Sequence, residues 1–587
     1  MATGSPFRFS PRANRAADIH WQPWSEEIFS RARSEGRPIL LSLSAVWCHW
    51  CHVMDETTYS DPDVIRLINQ DFIPVRVDND VRPDINLRYN MGGWPTTAVL
   101  TAAGDVLTGG TYFPPDTMRE LLGKARDYFR AHQQELETRQ VPGRELEPDP
   151  APVRPSEEAV AEILKGIQSQ FDRAYGGLGA APKFPQVETW ECLLTRFSLA
   201  GEGWAAGMAV RTLDAMAGGG LHDAGEGGFF RYCTTRQWTD PHFEKMLDDN
   251  ARLLTLFLHA FQVTGDESYR AVARRTADYL KDRLLLPSGL FGGSQDADET
   301  YYALPLDDRR KRTPPRVDET AYAGANALAV SALLLASALI DGSLRPLGLT
   351  ALEVLFDRLW GPEGLRHDDR EGAVVNWLFD LVAVGHAALD AFELTGDPEH
   401  RERARAVLTR MDETLRDHRP GYFDHPPRPS DAGRLQDRQR PLQENVEAAR
   451  FLRRLGRLDQ DLALVDRATG LLGAYSSLAR RVGVFGAGWA GAATGFAAPL
   501  LEMKLAVPDR QAGQDLRQAA FALYYPERRL KTLYPGDPER DELGLADDAE
   551  PALYLCRGTV CAPPVFRPDD IPAAVQALVA GASPNPA

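Results

Sequence analysis

Cysteine is scarce in this chain. Six in 587 residues make no disulfide framework, and a protein of this length buries a substantial core without one. A basic excess is missing too: 66 Lys and Arg face 83 Asp and Glu, for a formal charge of −17. Phosphate binding draws on counterions released by clustered cations, and no long Lys/Arg run supplies them, so no nucleic acid is expected. The run that must be tested as a membrane span, 323–340, is uncharged but mostly alanine, holds Asn326, Ser331 and Ser337, and is flanked by Asp318, Glu319 and Asp341. A span would carry more Leu and Ile, with basic residues on its cytoplasmic side. The run is expected to be a buried helix, with no membrane partner. The first residues carry no apolar signal-peptide core, so a cytoplasmic location is expected. What is present, 43% hydrophobic and 25% charged residues, excludes wholesale disorder, and 42 Pro with 49 Gly predict many loops.

The hydrophobic period changes along the chain. Pro38–Ser44, Phe72–Asp78 and Thr97–Thr101 are short apolar runs of strand type, and Val106–Tyr112 is a fourth candidate. Val53, Val64, Ile65 and Ile68 lie between the first two at helical spacing, and a helix is expected over 117–137. This is a small α/β domain over 1–138. Residues 139–157, rich in Pro and charge, read as a linker. From 158 to 505 the period is helical, with about twelve segments, the clearest at Glu244–Thr264, Ser268–Leu286, Thr320–Ile340, Asn376–Thr395 and Glu399–Asp417. Ala260-Phe-x-x-Thr-Gly-Asp266, followed by Arg270, Ala273 and Arg274, recurs as Ala391-Phe-x-x-Thr-Gly-Asp397 with Arg401, Ala404 and Arg405. A repeated helix end, turn and new helix suggests hairpins stacked about an axis, an (α/α)6 toroid. Residues 506–587 carry strand-like runs at Ala519–Tyr525 and Ala552–Cys556 and one late helix, a small C-terminal α/β appendage.

Trp47-Cys48-His49-Trp50-Cys51-His52 is the sharpest local signal. A Cys-x-x-Cys at a helix N-terminus places the first sulfur where free N–H groups and the helix dipole favour thiolate. Cys48 is the candidate nucleophile and Cys51, one turn on, the resolving thiol. Trp94-Pro95, just before the third strand, stands where thioredoxin-like folds present a cis-proline opposite the disulfide. Rival readings are haem attachment, zinc held by Cys48, His49, Cys51 and His52, with Cys556 and Cys561 as further ligands, and a redox-silent relic. Many thioredoxins carry a buried Asp about six residues before the first cysteine as a proton acceptor; here Ser42 occupies that position. Cys556 and Cys561 are a candidate second redox pair if the chain turns back at Arg557-Gly558, and Cys192 and Cys233 are simplest as core thiols.

The motifs CHWCHVM (48–54), Val77-Asp78 with Arg82-Pro-Asp84, Gly92-Gly-Trp-Pro95 and Gly110-Thr-Tyr-Phe-Pro114 resemble the DUF255 thioredoxin-like domain. Pro182-Lys-Phe-Pro185, Gly227–Tyr232, Pro241–Leu247, Asp249-Asn-Ala251 and Asp296-Ala-Asp298 extend the resemblance to the spermatogenesis-associated protein 20 family, and Tyr554–Cys556 and Cys561 continue it. The resemblance implies a multidomain α/β plus all-α chain: a thioredoxin-like domain fused to a toroid similar to N-acylglucosamine 2-epimerases and six-hairpin glycosidases. It implies no established reaction. A short segment before Gly92 and the sequence Asn79-Asp80-Val81 depart from the family pattern.

Polar residues gather where glycine-rich loops would meet a toroid mouth. His222, His242, Glu244 and Asp249 are candidate acid–base groups, with Lys245 and Asp248 placed near Glu244 on one helix start. Asp223, Arg231, Tyr232, Trp238, Lys245, Asn250, Asp296 and Asp298 are candidate substrate contacts, with Trp94 on the thioredoxin side. Trp377, His386, Tyr422 and Trp489 are candidates for later parts of the wall. No metal and no cofactor are expected. The expected function is a thiol–disulfide oxidoreductase acting on protein disulfides, whose toroid binds a carbohydrate. The rivals are a sugar isomerase, epimerase or hydrolase regulated by the thioredoxin-like domain, and a non-catalytic binding protein.

Overall fold

The computed structural model describes residues 7–138, 147–150 and 154–581; most of the expected linker lies outside them. The apolar runs of the first domain form one four-stranded sheet. β1 (Ile39–Ser44) runs parallel to β2 (Ile73–Asp78) and antiparallel to β3 (Thr96–Leu100), and β4 (Val106–Gly110) pairs antiparallel with β3. β1 is buried along its whole length because both sheet faces are covered. On one face lie α1 (Glu26–Glu35) and, after β2, a helix at Pro83–Tyr89; on the other lie α2 (His49–Glu56), α3 (Pro62–Asp71) and a helix at Pro115–Thr138. These last two are α4 (Pro83–Tyr89) and α5 (Pro115–Thr138). Asp61 caps α3 through the N–H groups of Asp63 and Val64, with Pro62 in the first turn where its missing N–H costs nothing.

The helical region closes into a ring. The outer helix α6 (Glu157–Gln170) is followed by pairs of inner and outer helices: α7 (Val187–Ala200) and α8 (Gly203–Gly218), α9 (Leu247–Thr264) and α10 (Glu267–Tyr279), α11 (Ala323–Leu339) and α12 (Leu344–Leu359). Then come α13 (Leu378–Thr395) and α14 (Pro398–Thr414), α15 (Leu442–Asp459) and α16 (Leu462–Ala474), and the inner helix α17 (Ala487–Ala497), which packs on α6 and closes the ring against α7. The closure is tight: a Cβ at Gly491 of α17 would come within 3.2 Å of the Cys192 backbone in α7. This is an (α/α)6 toroid. The run tested as a span is the inner helix α11, buried on nearly all sides as an all-round apolar helix must be. Among the described residues no helix is long and apolar enough to cross a membrane.

The repeated turn is a pair of identical devices. Gly265 and Gly396 end α9 and α13 in the left-handed region at φ 74° and 71°, and Asp266 and Asp397 cap the next helices. Two expected boundaries are corrected. The helix expected from Glu244 begins at Leu247, because β5 (Lys245–Met246) is an extended pair with β6 (Ser294–Gln295), which in turn pairs with β7 (Val317–Asp318). Hydrogen bonds to a neighbouring hairpin loop outweigh local helix propensity there. The expected strand Ala519–Tyr525 is instead the end of α18 (Gln514–Phe521), whose buried Leu516, Ala520 and Phe521 follow the helical period, and the irregular turn after it.

The C-terminal sheet has β8 (Leu501–Ala506) parallel to β9 (Arg528–Leu533) and antiparallel to β10 (Ala552–Arg557), with β11 (Val560–Cys561) on β10. Its strand order, second–first–third–fourth, and strand directions are those of the N-terminal sheet. α18 connects its first two strands and α19 (Ile571–Gly581) follows its last. Pro551 precedes its third strand as Pro95 precedes β3. Two units of one topology thus flank the toroid. The first sits over the loops that lead into the inner helices; the second lies against the inner helices' far ends, with Gln262 of α9 bonded to the Ala522 carbonyl and Thr195 of α7 to the Tyr524 hydroxyl.

Candidate functional site

Cys48 is the N-cap of α2, and its sulfur accepts the Cys51 backbone N–H at 3.1 Å. The two cysteines are joined in a disulfide, and the Trp94–Pro95 bond beside them is cis. The pair does not face open solvent. Cys48 is 3% and Cys51 2% exposed, and Met246 of the toroid packs with Trp94 against them. The Arg231 guanidinium lies over Trp47 and Trp94, 4.3 and 4.8 Å from their ring centres, so a toroid side chain covers both aromatic residues beside the disulfide.

A second layer of toroid polar groups meets α2. His49 Nδ1 pairs with Glu299 at 2.8 Å, which raises its pKa, and the His49 N–H donates to Glu244 Oε1 at 3.4 Å. His242 stacks on Tyr232, 4.3 Å between ring centres, with its Nδ1 3.8 Å from Glu244 Oε2. Burial lowers the His52 pKa; its Nε2 lies 2.9 Å from the Val46 carbonyl and its Nδ1 3.9 Å from Asp296. Burial raises Asp296 to about 7, assisted by Glu244 and Asp298. Trp47 donates to Asp80, which burial and then Asp78 push to about 7. Asp249, also near 7 through burial and then Asp248, faces Arg231 and Arg252. Of the sequence candidates, then, Cys48, Cys51, Trp94, Pro95, Arg231, Glu244 and Asp296 gather at one place, with His242 and Tyr232 at its edge.

The others are placed as braces. Lys245 is fully buried, pairs with Asp223 at 2.8 Å and bonds the Gly227 carbonyl; Arg309 completes the Asp223 contacts. His222 is buried against Phe229, and desolvation lowers its pKa to about 4. Trp238 is fully buried and donates to the Tyr175 carbonyl. Asp298 caps the short turn at Glu299–Tyr302. Asn250, fourth residue of α9, holds the Phe229 backbone at both N–H and C=O and bonds the Met246 carbonyl. Asn326 in α11 and Asn445 in α15 make the same three bonds, to Phe291 and Tyr322 and to Tyr422 and Pro441. This repeated clamp is legible only once the helix starts are aligned. Cys556 and Cys561 stand opposite each other on β10 and β11 as a disulfide, with Gly558 at φ 62° supplying the turn. Cys192 and Cys233 are buried thiols pushed up to about 12 by desolvation. Among the described residues, no group of three or more His, Cys, Asp or Glu is placed to hold a metal ion.

Beneath the mouth, the toroid axis holds a cavity of about 470 Å³ that the sequence candidates, His386 aside, did not include. His259 of α9 faces Glu191 of α7 at 3.0 Å, and His386 of α13, its pKa lowered by burial, sits 3.9 Å from the Glu447 carboxylate of α15. Arg252 pairs with Glu188 at 2.7 Å, and Phe521–Arg528 lines the far end. These residues were missed because single polar positions on apolar inner helices carry no motif.

Residues 5–142 match the family described as Thioredox_DsbH, a protein of unknown function, DUF255. The N-terminal domain is a DUF255 domain. The resemblance carried by the motifs is borne out further along the chain. Spermatogenesis-associated protein 20 of Homo sapiens is 36% identical over 306 residues, 48% of this chain and 39% of the relative, and the Mus musculus protein is 35% identical over the same shares. The matched region thus spans about two fifths of the length of these curated relatives. Solved structures with low overall similarity include a sugar epimerase from a ruminal bacterium, 12% identical with a TM-score of 0.44 over 54% of this chain and 86% of that one. A GH76 alpha-mannanase of Bacteroides thetaiotaomicron is 11% identical, with a TM-score of 0.41 over 58% of this chain and 94% of that one.

Proposed function

We propose that the chain is a thiol–disulfide oxidoreductase whose DUF255 dithiol works at the mouth of a ligand-binding toroid. The observation that carries this reading is the position of the Cys48–Cys51 pair at a helix start beside cis-Pro95, enclosed by toroid residues. With Cys48 and Cys51 only 3% and 2% exposed, a folded protein disulfide has no approach while the domains are docked. The exchange partner that fits is a low-molecular-weight thiol or disulfide. The cavity below has the volume of a small-ligand site and the mixed Arg, His and carboxylate lining that suits a carbohydrate. The decisive measurement is thiol trapping of the pair across glutathione buffers. A reversible two-electron transition within the range of thioredoxin-fold proteins, about −120 to −270 mV, lost in Cys48→Ser, supports the reading. A pair that never changes state rejects it.

A second reading has its own observation: two histidines on different inner helices, each beside a carboxylate, share the cavity. That is an acid–base pair for sugar isomerisation, epimerisation or hydrolysis. Under it, His259→Ala and His386→Ala abolish turnover of a monosaccharide or disaccharide panel while Cys48→Ser leaves it intact.

A further inference from the structure

The proton acceptor that thioredoxin-like chemistry places behind the dithiol is missing from this DUF255 domain. Ser42 fills the position with a buried hydroxyl, which does not take up a proton as a carboxylate does. Two toroid carboxylates reach α2, the helix that carries the dithiol, from the other side. In the β5–β6 ladder Lys245 stands opposite Gln295, so the antiparallel register places Glu244 opposite Asp296. Cross-strand neighbours of this kind have Cβ atoms about 5 Å apart, and like charges there repel. Glu244 is 2% exposed; one oxygen takes the His49 backbone N–H at the start of α2, and Oε2 is buried with no hydrogen bond, His242 Nδ1 standing 3.8 Å away. Asp296 Oδ1 is buried, has no hydrogen-bond partner and lies 3.9 Å from a nitrogen of His52, the residue after Cys51.

We propose that Asp296, supplied by the toroid, is the proton donor of the Cys48–Cys51 dithiol, and that the neighbouring Glu244 supplies the fixed negative charge that sets its thiolate. This inference rests on the oxidoreductase reading above. Burial and the facing carboxylate keep Asp296 half-protonated near pH 7, while His242 and Arg231 hold Glu244 ionised against the cost of its burial. In the reductive direction, the thiolate of a small thiol such as glutathione attacks Cys48 Sγ and the Cys48–Cys51 bond breaks. Cys51 leaves as thiolate and takes the proton of Asp296, which recovers one from solvent. A second small thiolate attacks the external sulfur of the mixed disulfide and releases Cys48, which also takes a proton from solvent. The protein disulfide gains two electrons and two small thiols are oxidised to one disulfide. The charged and titratable groups facing the pair are His49 and His52 of α2, Arg12 of the N-terminal segment, and Arg231, His242, Asp298, Glu299 and Arg316 of the toroid.

The test uses the full chain, with glutathione as probe, in Glu244→Gln, Asp296→Asn and Asp296→Glu, each checked for a wild-type urea midpoint. Removing the Glu244 charge at the start of α2 stabilises the Cys48 thiolate there, so Glu244→Gln shifts the exchange constant at least fivefold towards the reduced pair and moves the Cys48 alkylation profile to lower pH. Asp296→Asn slows exchange at pH 7 about tenfold and removes the inflection near pH 7, and Asp296→Glu restores both. Exchange constants, rates and pH profiles within twofold of wild type in folded variants overturn the proposal and leave the oxidoreductase reading standing. A wild-type pair that does not exchange at all removes both.

Discussion

Lys245 shows how one residue type can be read two ways. Its ammonium is dry, with Phe230, Tyr279 and Tyr302 at 4.8, 4.6 and 5.3 Å and Asp223 at 2.8 Å. A buried pair of this kind does little net work compared with an apolar pair, but losing one partner strands the other. Lys245→Met is therefore expected to cost about 3–5 kcal/mol in urea unfolding, and Lys245→Met with Asp223→Asn to recover a large part of it. A wild-type midpoint for Lys245→Met would mean that the pair is no brace. The sequence put Lys245 and Glu244 in one candidate site because they are neighbours; along the extended chain entering β5 successive side chains take opposite faces, so Glu244 turns to α2 and Lys245 to the core. The dithiol itself was legible because its chemistry is local: the cysteine spacing, the helix start and the proline lie in short motifs.

Three of the inner helices, α9, α11 and α15, gain a common geometry from one side chain near each start. Asn250, Asn326 and Asn445 each bond a backbone N–H, its C=O and the carbonyl before the helix. Replacing any of them with alanine leaves a buried donor and acceptor unmet. Asn326→Ala and Asn445→Ala are expected to cost about 2–4 kcal/mol each in urea unfolding, and Asn250→Ala the same, although it lies nearest the dithiol. If Asn250→Ala lost redox exchange with no loss of stability, its place would be in the chemistry and not in the clamp. At this scale helices were legible and their starts were not. The Gly-Asp turns after α9 and α13 announce themselves, since a left-handed glycine and an Asp cap are local. The extended pair before α9 depends on Ser294–Gln295 almost fifty positions later, and no local pattern records it.

The whole molecule makes the site by docking one domain on another. Arg8 binds Asp318, Arg88 binds Asp424, and His367 joins the toroid to the DUF255 domain. His367 has an acceptor on each ring nitrogen, Asp380 Oδ2 at Nδ1 and the Asp80 carbonyl at Nε2, both at 2.7 Å. A neutral imidazole can donate to only one of them, so this geometry calls for the cation. Burial opposes the charge, but Asp380 and the Asp80 carbonyl outweigh it and raise the pKa to about 9. Since the folded value exceeds the unfolded value of about 6.5, the stabilisation is complete below pH 6.5 and is lost as pH rises through 9. It amounts to about 3 kcal/mol at most. Asp80, Asp249 and Asp296, held near 7, titrate lower in that window. The urea midpoint of wild type is therefore expected to fall between pH 8 and 9.5, while His367→Gln starts lower and stays level there. Equal falls in the two proteins would place the pH dependence elsewhere. A level His367→Gln, with faster alkylation of the reduced dithiol already at pH 7, would tie this one imidazolium to the closure that keeps the disulfide inside the toroid mouth.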